Sequence, residues 1–265
     1  MTAADNVFTA LAEEADDFDL LLGGLDDAGW DRATPAPGWT IAHQVAHLAF
    51  VSDLAGAAAA DPRAFAERTA AAKGDFQGAV DKALQAYLAG TPADIRKRWR
   101  TAHDTATAAL AAVPADQTVP WLVNPLPPTV LAAAGLMELY AHGQDVRDAL
   151  GVTREHDDRI GHIAFFGTRT RDFGYLAHGL TPPAEEFRFE LTAPSGTLWA
   201  FGPQDAVNRV VGPAVDFCLL ITRRRHYADL AITAIGTEAR RWLEIAQAYR
   251  GPAGEGRRPG QFAGR

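Results

Sequence analysis

Residues 37–50 of the chain read PGWTIAHQVAHLAF, and this stretch predicts how a helical core is built. Its Pro-Gly pair favours a turn, and Thr40 is a residue type that caps helix N-termini, so we expect a helix over 41–60. His43 and His47 are four residues apart and therefore share one face. Apolar side chains cover the opposite face: Ile41, Val45 and Leu48. A helix that is apolar on two sides belongs in the middle of a bundle, so the histidines point into one of its packed sides.

A second stretch, MELYAHGQDVRDALG at residues 137–151, repeats the pattern. Glu138 and His142 are four residues apart, and Asp145 follows His142 by three. At about 100° per residue, the three side chains lie within about 60° of one another on a helix. Leucine and alanine fill the rest of this stripe. Because burial of an unpaired carboxylate costs several kcal/mol, Glu138 has to be paired or bind a cation.

Two imidazoles and one carboxylate on inward faces of two bundle helices form a donor set for a divalent metal ion. Helix bundles build metal centres from side chains on facing helices. Three protein ligands leave a coordination position open, which is typical of catalytic rather than structural sites. The set suits zinc, and also Fe(II) or Ni(II). The alternative is a helical protein in which these side chains only form hydrogen bonds.

The sequence up to about residue 178 predicts further helices between short breakers. Periodicity and capping residues mark them at 3–25, 63–88, 92–113, 129–150 and 157–178. We expect the second of these to be interrupted or bent near Gly74 and Gly78. We also expect Thr129 to cap the helix that carries Glu138, and Gly151 to follow its last turn.

Beyond residue 180 the periodicity changes. Alternating residues predict strands at 187–191, 197–201 and 207–211, the first two as a hairpin, and apolar periodicity predicts helices at 213–222 and 237–249. We therefore expect a mainly α protein in three parts. These are a metal-binding helical bundle at 1–180, a small α+β domain at 181–250 and a tail rich in Gly and Arg at 251–265.

Composition excludes several function classes. The chain has 265 residues with 25 Lys and Arg against 33 Asp and Glu, a formal net charge of −8. This charge argues against a general nucleic-acid binder and against docking on anionic lipid. A single cysteine, Cys218, offers neither an internal disulfide nor a Cys-rich zinc site. The longest uncharged run, 117–137, contains four prolines, so we expect no membrane helix. We expect a cytoplasmic protein that is monomeric or homodimeric.

The two histidine-bearing motifs together resemble the mycothiol-dependent maleylpyruvate isomerase-like branch of the DinB-like metal-enzyme superfamily. Three C-terminal strings resemble one actinobacterial subgroup of metal-binding proteins whose activity is unsettled: LTAPSGTLWAFGP at 191–203, GPAVDFCLLITRRRH at 212–226 and WLEIAQAY at 242–249. The resemblance covers nearly the whole chain. It implies a DinB-like four-helix bundle followed by a small α+β domain.

The resemblance also implies the ligand set. A divalent metal, usually zinc, would be held by His47, Glu138 and His142, and Asp145 would orient His142. His43 falls where relatives are expected to carry a polar or acidic residue. Its role stays open between a hydrogen-bond partner of a ligand, an extra ligand and a proton shuttle.

An arginine at the end of a helix in the second domain is a further feature that the resemblance implies. Arg223 and Arg224 are the nearest matches, and a guanidinium there would bind a carboxylate of the thiol or the substrate. The alternative is a basic helix terminus that complements the helix dipole. Gly135 departs from the resemblance, because relatives are expected to carry a larger, often basic, residue there.

Three functions follow as hypotheses. The first is a metal-dependent enzyme that activates a low-molecular-weight thiol, mycothiol, for attack on an electrophilic small molecule, as an S-transferase or a cis–trans isomerase. The second keeps the metal without the thiol, as a hydrolase, lyase or cyclase in biosynthesis, because one fold supports several chemistries. The third is a non-enzymatic protein that binds a metal or a ligand.

Overall fold

The computed structural model describes residues 6–70, 76–122 and 124–262. The chain divides into two compact units, Met1–Val152 and Thr153–Arg265. This division falls earlier than the predicted boundary at residue 180, because the two helices between 161 and 177 pack on elements of the second unit. The interruption or bend predicted near Gly74 lies outside the described residues, whereas Gly78 lies within the helix Phe76–Tyr87.

The first unit is helical. Its helices are α1 (Val7–Gly23), α2 (Asp27–Trp30), α3 (Ile41–Ala60), α4 (Pro62–Ala70), α5 (Phe76–Tyr87), α6 (Pro92–Ala112) and α7 (Pro128–Leu150). The four long ones form the bundle: α3 packs against α6 and α7, and α1 packs against the same two helices. The predicted fold class, a mainly α protein with a four-helix bundle and a small α+β part, is confirmed.

Helix boundaries follow from capping chemistry. Asn6 caps α1 by accepting a hydrogen bond from the backbone N–H of Phe8, and Thr91 caps α6 with a proline directly after it. The predicted cap at Thr129 is wrong, since α7 already begins at Pro128, where a proline loses no intrahelical hydrogen bond. Gly151 follows α7 with φ of 69°, as predicted, because glycine adopts the left-handed conformation without a Cβ penalty.

Apolar packing between the helices holds the bundle together. Phe18 of α1 meets Trp99 of α6 edge to face, with ring centroids 5.1 Å apart, and both side chains are fully buried. Gly56 of α3 lies so close to α6 that a Cβ there would stand 3.3 Å from the Cα of Ala106. This close approach fixes the spacing of α3 and α6, and α3 also carries one side of the candidate site.

The second unit joins helices to a small sheet. It contains the helices α8 (Gly161–Arg169), α9 (Asp172–Ala177), α10 (Ala214–Ile221) and α11 (Thr237–Ile245), and the strands β1 (Phe187–Thr192), β2 (Leu198–Phe201), β3 (Asn208–Pro213) and β4 (Thr233–Ile235). Short 3₁₀ turns precede α8 and β4. The strand order is β2-β1-β3-β4, with β1 and β3 parallel and the other neighbours antiparallel.

Two predicted helices of this unit need correction, and one strand was missed. The helix expected over 157–178 is interrupted at Thr170 and continues as α9. The helix expected to reach 249 ends at Ile245, and the strand β4 was not predicted. The hairpin of β1 and β2 is confirmed, with Leu191 opposite Trp199. Among the described residues, no helix is long and apolar enough to cross a membrane.

Candidate metal centre

Three predicted ligands converge between two bundle helices. His47 projects from α3, and Glu138 and His142 project from α7 one turn apart, so the packing of α3 on α7 brings them together. The Nε2 atoms of His47 and His142 lie 3.6 Å and 3.2 Å from the same oxygen, Oε2 of Glu138. One donor atom from each residue falls within 4.8 Å of the others. The side chains of His47, His142 and Glu138 are 16%, 14% and 29% exposed, respectively, so the cluster is accessible from solvent.

These distances fit a small divalent cation. With bonds of about 2.0–2.1 Å, two ligands of a tetrahedral zinc ion stand about 3.3 Å apart. The two nitrogen-to-oxygen distances, 3.6 Å and 3.2 Å, lie on either side of that separation. Two imidazoles and one carboxylate are also a donor set of catalytic zinc sites. The residues present therefore fit the metal that the sequence implied.

The electrostatics of the cluster favour a bound cation. Burial raises the pKa of Glu138, but hydrogen bonds and charge interactions with His142 and His47 outweigh it and hold that pKa well below its usual range. The carboxylate is therefore ionised at neutral pH. An anion flanked by two imidazoles stabilises a positive charge placed between them.

Gln44 holds the second nitrogen of His142, and sequence reasoning missed it. Its side-chain oxygen lies 2.5 Å from Nδ1 of His142, and the residue is fully buried in α3. An amide in a helix carries no special sequence signal, although Gln44 lies only three residues before His47. Asp145 is buried in α7. Its predicted role in orienting His142 stays a prediction, since the contact described at Nδ1 is with Gln44.

His43 lies at the start of α3 rather than in the ligand cluster. Its Nδ1 is 3.3 Å from the backbone nitrogen of Thr40 and 2.8 Å from the Thr40 hydroxyl, which makes a capping box. Among the described residues, the group that could hold a metal comprises His47, Glu138 and His142 without His43. The structure therefore gives His43 a role in helix capping.

Trp39 forms a wall of the candidate site. Its ring stacks on that of His142 with centroids 5.9 Å apart and lies 5.3 Å from that of His47. Its side chain is only partly buried. A residue directly before a helix cap projects beside the first turn of that helix, and this position could have signalled its contact with the site.

Comparison with known proteins gives the family. A sequence model described as the mycothiol maleylpyruvate isomerase N-terminal domain matches residues 11–147, which include all three clustered residues. The chain belongs to this family. A second model, described as wyosine base formation, matches residues 183–234.

Relatives and solved structures also match most of the chain. The uncharacterized proteins Rv0036c and MT0041 of Mycobacterium tuberculosis are each 45% identical over 247 residues, which cover 93% of this chain and 96% of the relative. Two crystal structures of mycothiol-dependent maleylpyruvate isomerase, one of them a histidine-to-alanine mutant, match with a TM-score of 0.58. They cover 86% of this chain and 91% of theirs at 14% and 16% identity, which shows a shared fold.

The two candidate arginines lie in the second unit, beyond the part that the family model matches. Arg223 follows α10 with φ of 58°, and its guanidinium lies 3.4 Å from the carbonyl of Gly254. Arg224 is buried and donates a 2.6 Å hydrogen bond to the carbonyl of Thr222. A role of either arginine in binding a thiol or a substrate stays a prediction.

Proposed function

We propose that this protein is a divalent-metal-dependent enzyme that activates a low-molecular-weight thiol, mycothiol, for attack on an electrophilic small molecule. The single observation that carries the proposal is the convergence of His47, Glu138 and His142, each within reach of one cation. Membership in the mycothiol maleylpyruvate isomerase family supports the thiol. Two imidazoles and one carboxylate suit zinc, and also Fe(II) or Ni(II), and we propose zinc because it is the usual metal that the resemblance implies.

The chemistry needs a thiolate at neutral pH. A free thiol has a pKa of about 8.5, and a divalent cation at this site would lower that pKa when a thiol reaches it. The thiolate sulfur then forms a bond to an electrophilic carbon of an activated alkene, and the π electrons move to the conjugated carbonyl oxygen. Protonation of the adduct completes an S-transfer. Alternatively, rotation occurs about the former double bond, and the enolate electrons then form that double bond again as the C–S bond breaks and the thiolate leaves, which completes a cis–trans isomerisation.

The protein's own residues would hold the reactants. The side chains of His47, Glu138 and His142 are 14–29% exposed, so a thiol can reach the cluster from solvent. The indole of Trp39 contacts both imidazoles and would form one wall of this approach. Arg223 is the better of the two candidate arginines for a carboxylate, because it is partly exposed whereas Arg224 is buried.

A reconstitution experiment tests the proposal. The purified chain is stripped with a chelator, reloaded with zinc, and incubated with mycothiol and a panel of electrophiles that includes cis-alkenes conjugated to a carboxylate and epoxides. We expect turnover that requires both zinc and mycothiol. Turnover is measured as loss of the electrophile and as change in free thiol content. Turnover with zinc alone would contradict the thiol step and favour a hydrolase or lyase. Absence of both thiol binding and turnover would contradict the proposal that the protein is a thiol-dependent enzyme.

A further inference from the structure

A chain of hydrogen bonds runs from His142 away from the candidate cation site. Nδ1 of His142 meets the side-chain oxygen of Gln44 at 2.5 Å, and the amide nitrogen of Gln44 donates to the hydroxyl of Thr34 at 2.9 Å. That hydroxyl donates to the backbone carbonyl of Trp39, also at 2.9 Å. The chain thus connects α7 through α3 to the segment that precedes α3.

The carbonyl at the far end fixes the direction of every bond in this chain. A backbone carbonyl only accepts hydrogen bonds, so the hydroxyl of Thr34 has to donate to Trp39. The oxygen of Thr34 is then left to accept, and the group that donates to it is the amide nitrogen of Gln44. The carbonyl oxygen of Gln44 therefore faces His142 and requires a proton on Nδ1. Nε2 of His142 is left facing Glu138.

The hydrogen bonds of this series cannot easily reverse their directions. Gln44 is fully buried, so its amide cannot turn to water without leaving polar atoms unsatisfied. Thr34 is held by a second bond, from its backbone nitrogen to the same carbonyl of Trp39 at 2.8 Å. The ring of Trp39 also stacks on His142. One residue thus anchors the far end of the chain and covers the imidazole at its near end.

The other histidine of the cluster differs. Nδ1 of His47 is buried, and the part of the chain that the structure describes offers it no hydrogen-bond partner. The ring of His47 is positioned by packing against Trp39 and His142, with centroids 5.3 Å and 4.5 Å away. A hydrogen bond at Nδ1 therefore orients the ring of His142, whereas the described residues provide no such bond for His47.

We propose that Gln44 is a positioning residue which, through Thr34 and the carbonyl of Trp39, holds His142 with its proton on Nδ1 and its Nε2 directed at the cation. This inference rests on the proposed metal centre and adds to it the device that orients one ligand. Hydrogen bonds to the outer nitrogen of a metal-bound histidine fix its tautomer and ring orientation, and their loss costs about 10–100-fold in metal affinity.

Zinc affinity measured by chelator competition tests the positioning. We expect Q44L, which removes the acceptor but keeps the volume, to weaken zinc binding by about 10–100-fold. Q44E keeps an oxygen acceptor opposite Nδ1, so its affinity should stay at or above that of the unsubstituted chain. T34V should weaken binding less than Q44L does. Equal affinity in Q44L and the unsubstituted chain, or equal losses in Q44L and Q44E, would show a packing role and overturn the proposal.

Nuclear magnetic resonance on the metal-free chain tests the same device without any metal. A proton on Nδ1 of His142 that is bonded to buried Gln44 should give a downfield ¹H–¹⁵N signal protected from exchange with water, assigned by its loss in H142Q. The signal should disappear in Q44L. Its absence from the unsubstituted chain would overturn the proposal. A chain that shows the signal but binds no zinc would instead overturn the proposed metal function.

Discussion

At the scale of single residues, the two histidines of α3 lie in different surroundings. His47 lies 3.6 Å from Glu138 in the candidate cluster, whereas His43 forms hydrogen bonds with Thr40 at the helix N-terminus. We expect H47A to lose zinc affinity by more than the roughly 100-fold that marks the upper range for an outer hydrogen bond. H43A should keep its zinc and lose about 0.5–1 kcal/mol of stability, as expected for a weakened cap. Metal analysis and thermal unfolding measure the two effects, and loss of zinc in H43A would identify His43 as an extra ligand.

Arg223 occupies a position where glycine is the usual residue. Its φ of 58° places it in the left-handed region after α10, which costs a residue with a side chain about 1–2 kcal/mol. We expect R223G to unfold at a higher temperature than the unsubstituted chain. If the guanidinium binds a carboxylate of thiol or substrate, the same variant should raise KM more than it lowers kcat. A stabilised variant with unchanged KM would assign Arg223 to the helix terminus alone.

His103 links stability to pH within the bundle. It is 5% exposed in α6, and burial lowers the pKa of its imidazole below 6.5 against the smaller raising effect of Asp104. The unfolded chain therefore takes up this proton first, and stability falls as pH decreases below about 6.5. We expect the free energy of unfolding in urea to fall more between about pH 7.5 and pH 5.5 in the unsubstituted chain than in H103Q. Equal changes in both proteins would contradict this assignment.

The two sequence motifs predicted the clustered residues, but not the side chains that contact them. Helical spacing paired His43 with His47 and Glu138 with His142. The resemblance to the family then singled out His47, Glu138 and His142. Gln44 and Thr34 depend on a contact between α3 and the segment before it, which no local periodicity encodes. Their proposed role depends on the direction of their hydrogen bonds, which the sequence does not show.

At the scale of elements, capping and periodicity predicted the helices better than their interruptions. The bounds of α3 agree with the expected 41–60 because a turn and a cap mark its start. Strand β4 was missed because its three residues are too few for an alternating pattern to register. The parallel pairing of β1 with β3 also depends on how the chain crosses over, which strand patterns do not specify.

Gly135 gives a prediction for helix α7. A Cβ at this position would have Leu11 of α1 as its nearest neighbour, at 3.9 Å, which is ordinary van der Waals contact. G135A should therefore stabilise the chain by about 0.5–1 kcal/mol through helix propensity. The control is G174A in α9, where a methyl would overlap the carbonyl oxygen of Ile245, so this variant should be destabilised. Thermal unfolding compares the two variants. A lower unfolding temperature in G135A than in the unsubstituted chain would contradict the inference that a methyl group fits beside Leu11.

At the scale of the whole molecule, the candidate metal centre belongs to the first of the two units. All three clustered residues and the four bundle helices lie before residue 152. The family model ends nearby, at residue 147. The sequence placed the boundary at 180 because the helical period continues past Gly151, and periodicity alone does not show on which core a helix packs.

Two fragments distinguish these boundaries. Fragment 1–152 keeps the bundle whole, so we expect a cooperative thermal transition and the zinc affinity of the full chain. Fragment 1–180 adds α8 and α9, which in the full chain pack on the second unit: Gly167 lies against Ile221, and the hydroxyl of Tyr175 meets Glu238 at 3.2 Å.

Without α10 and α11, the longer fragment exposes the apolar faces of the helices it adds. We therefore expect fragment 1–180 to bind a hydrophobic dye and to self-associate in sedimentation, since large exposed apolar patches favour association. Fragment 1–152 should remain monodisperse at the same concentration. A well-behaved longer fragment beside a shorter one that does not fold would place the true boundary near 180. Loss of zinc binding in a folded 1–152 would show that the second unit contributes to the metal centre.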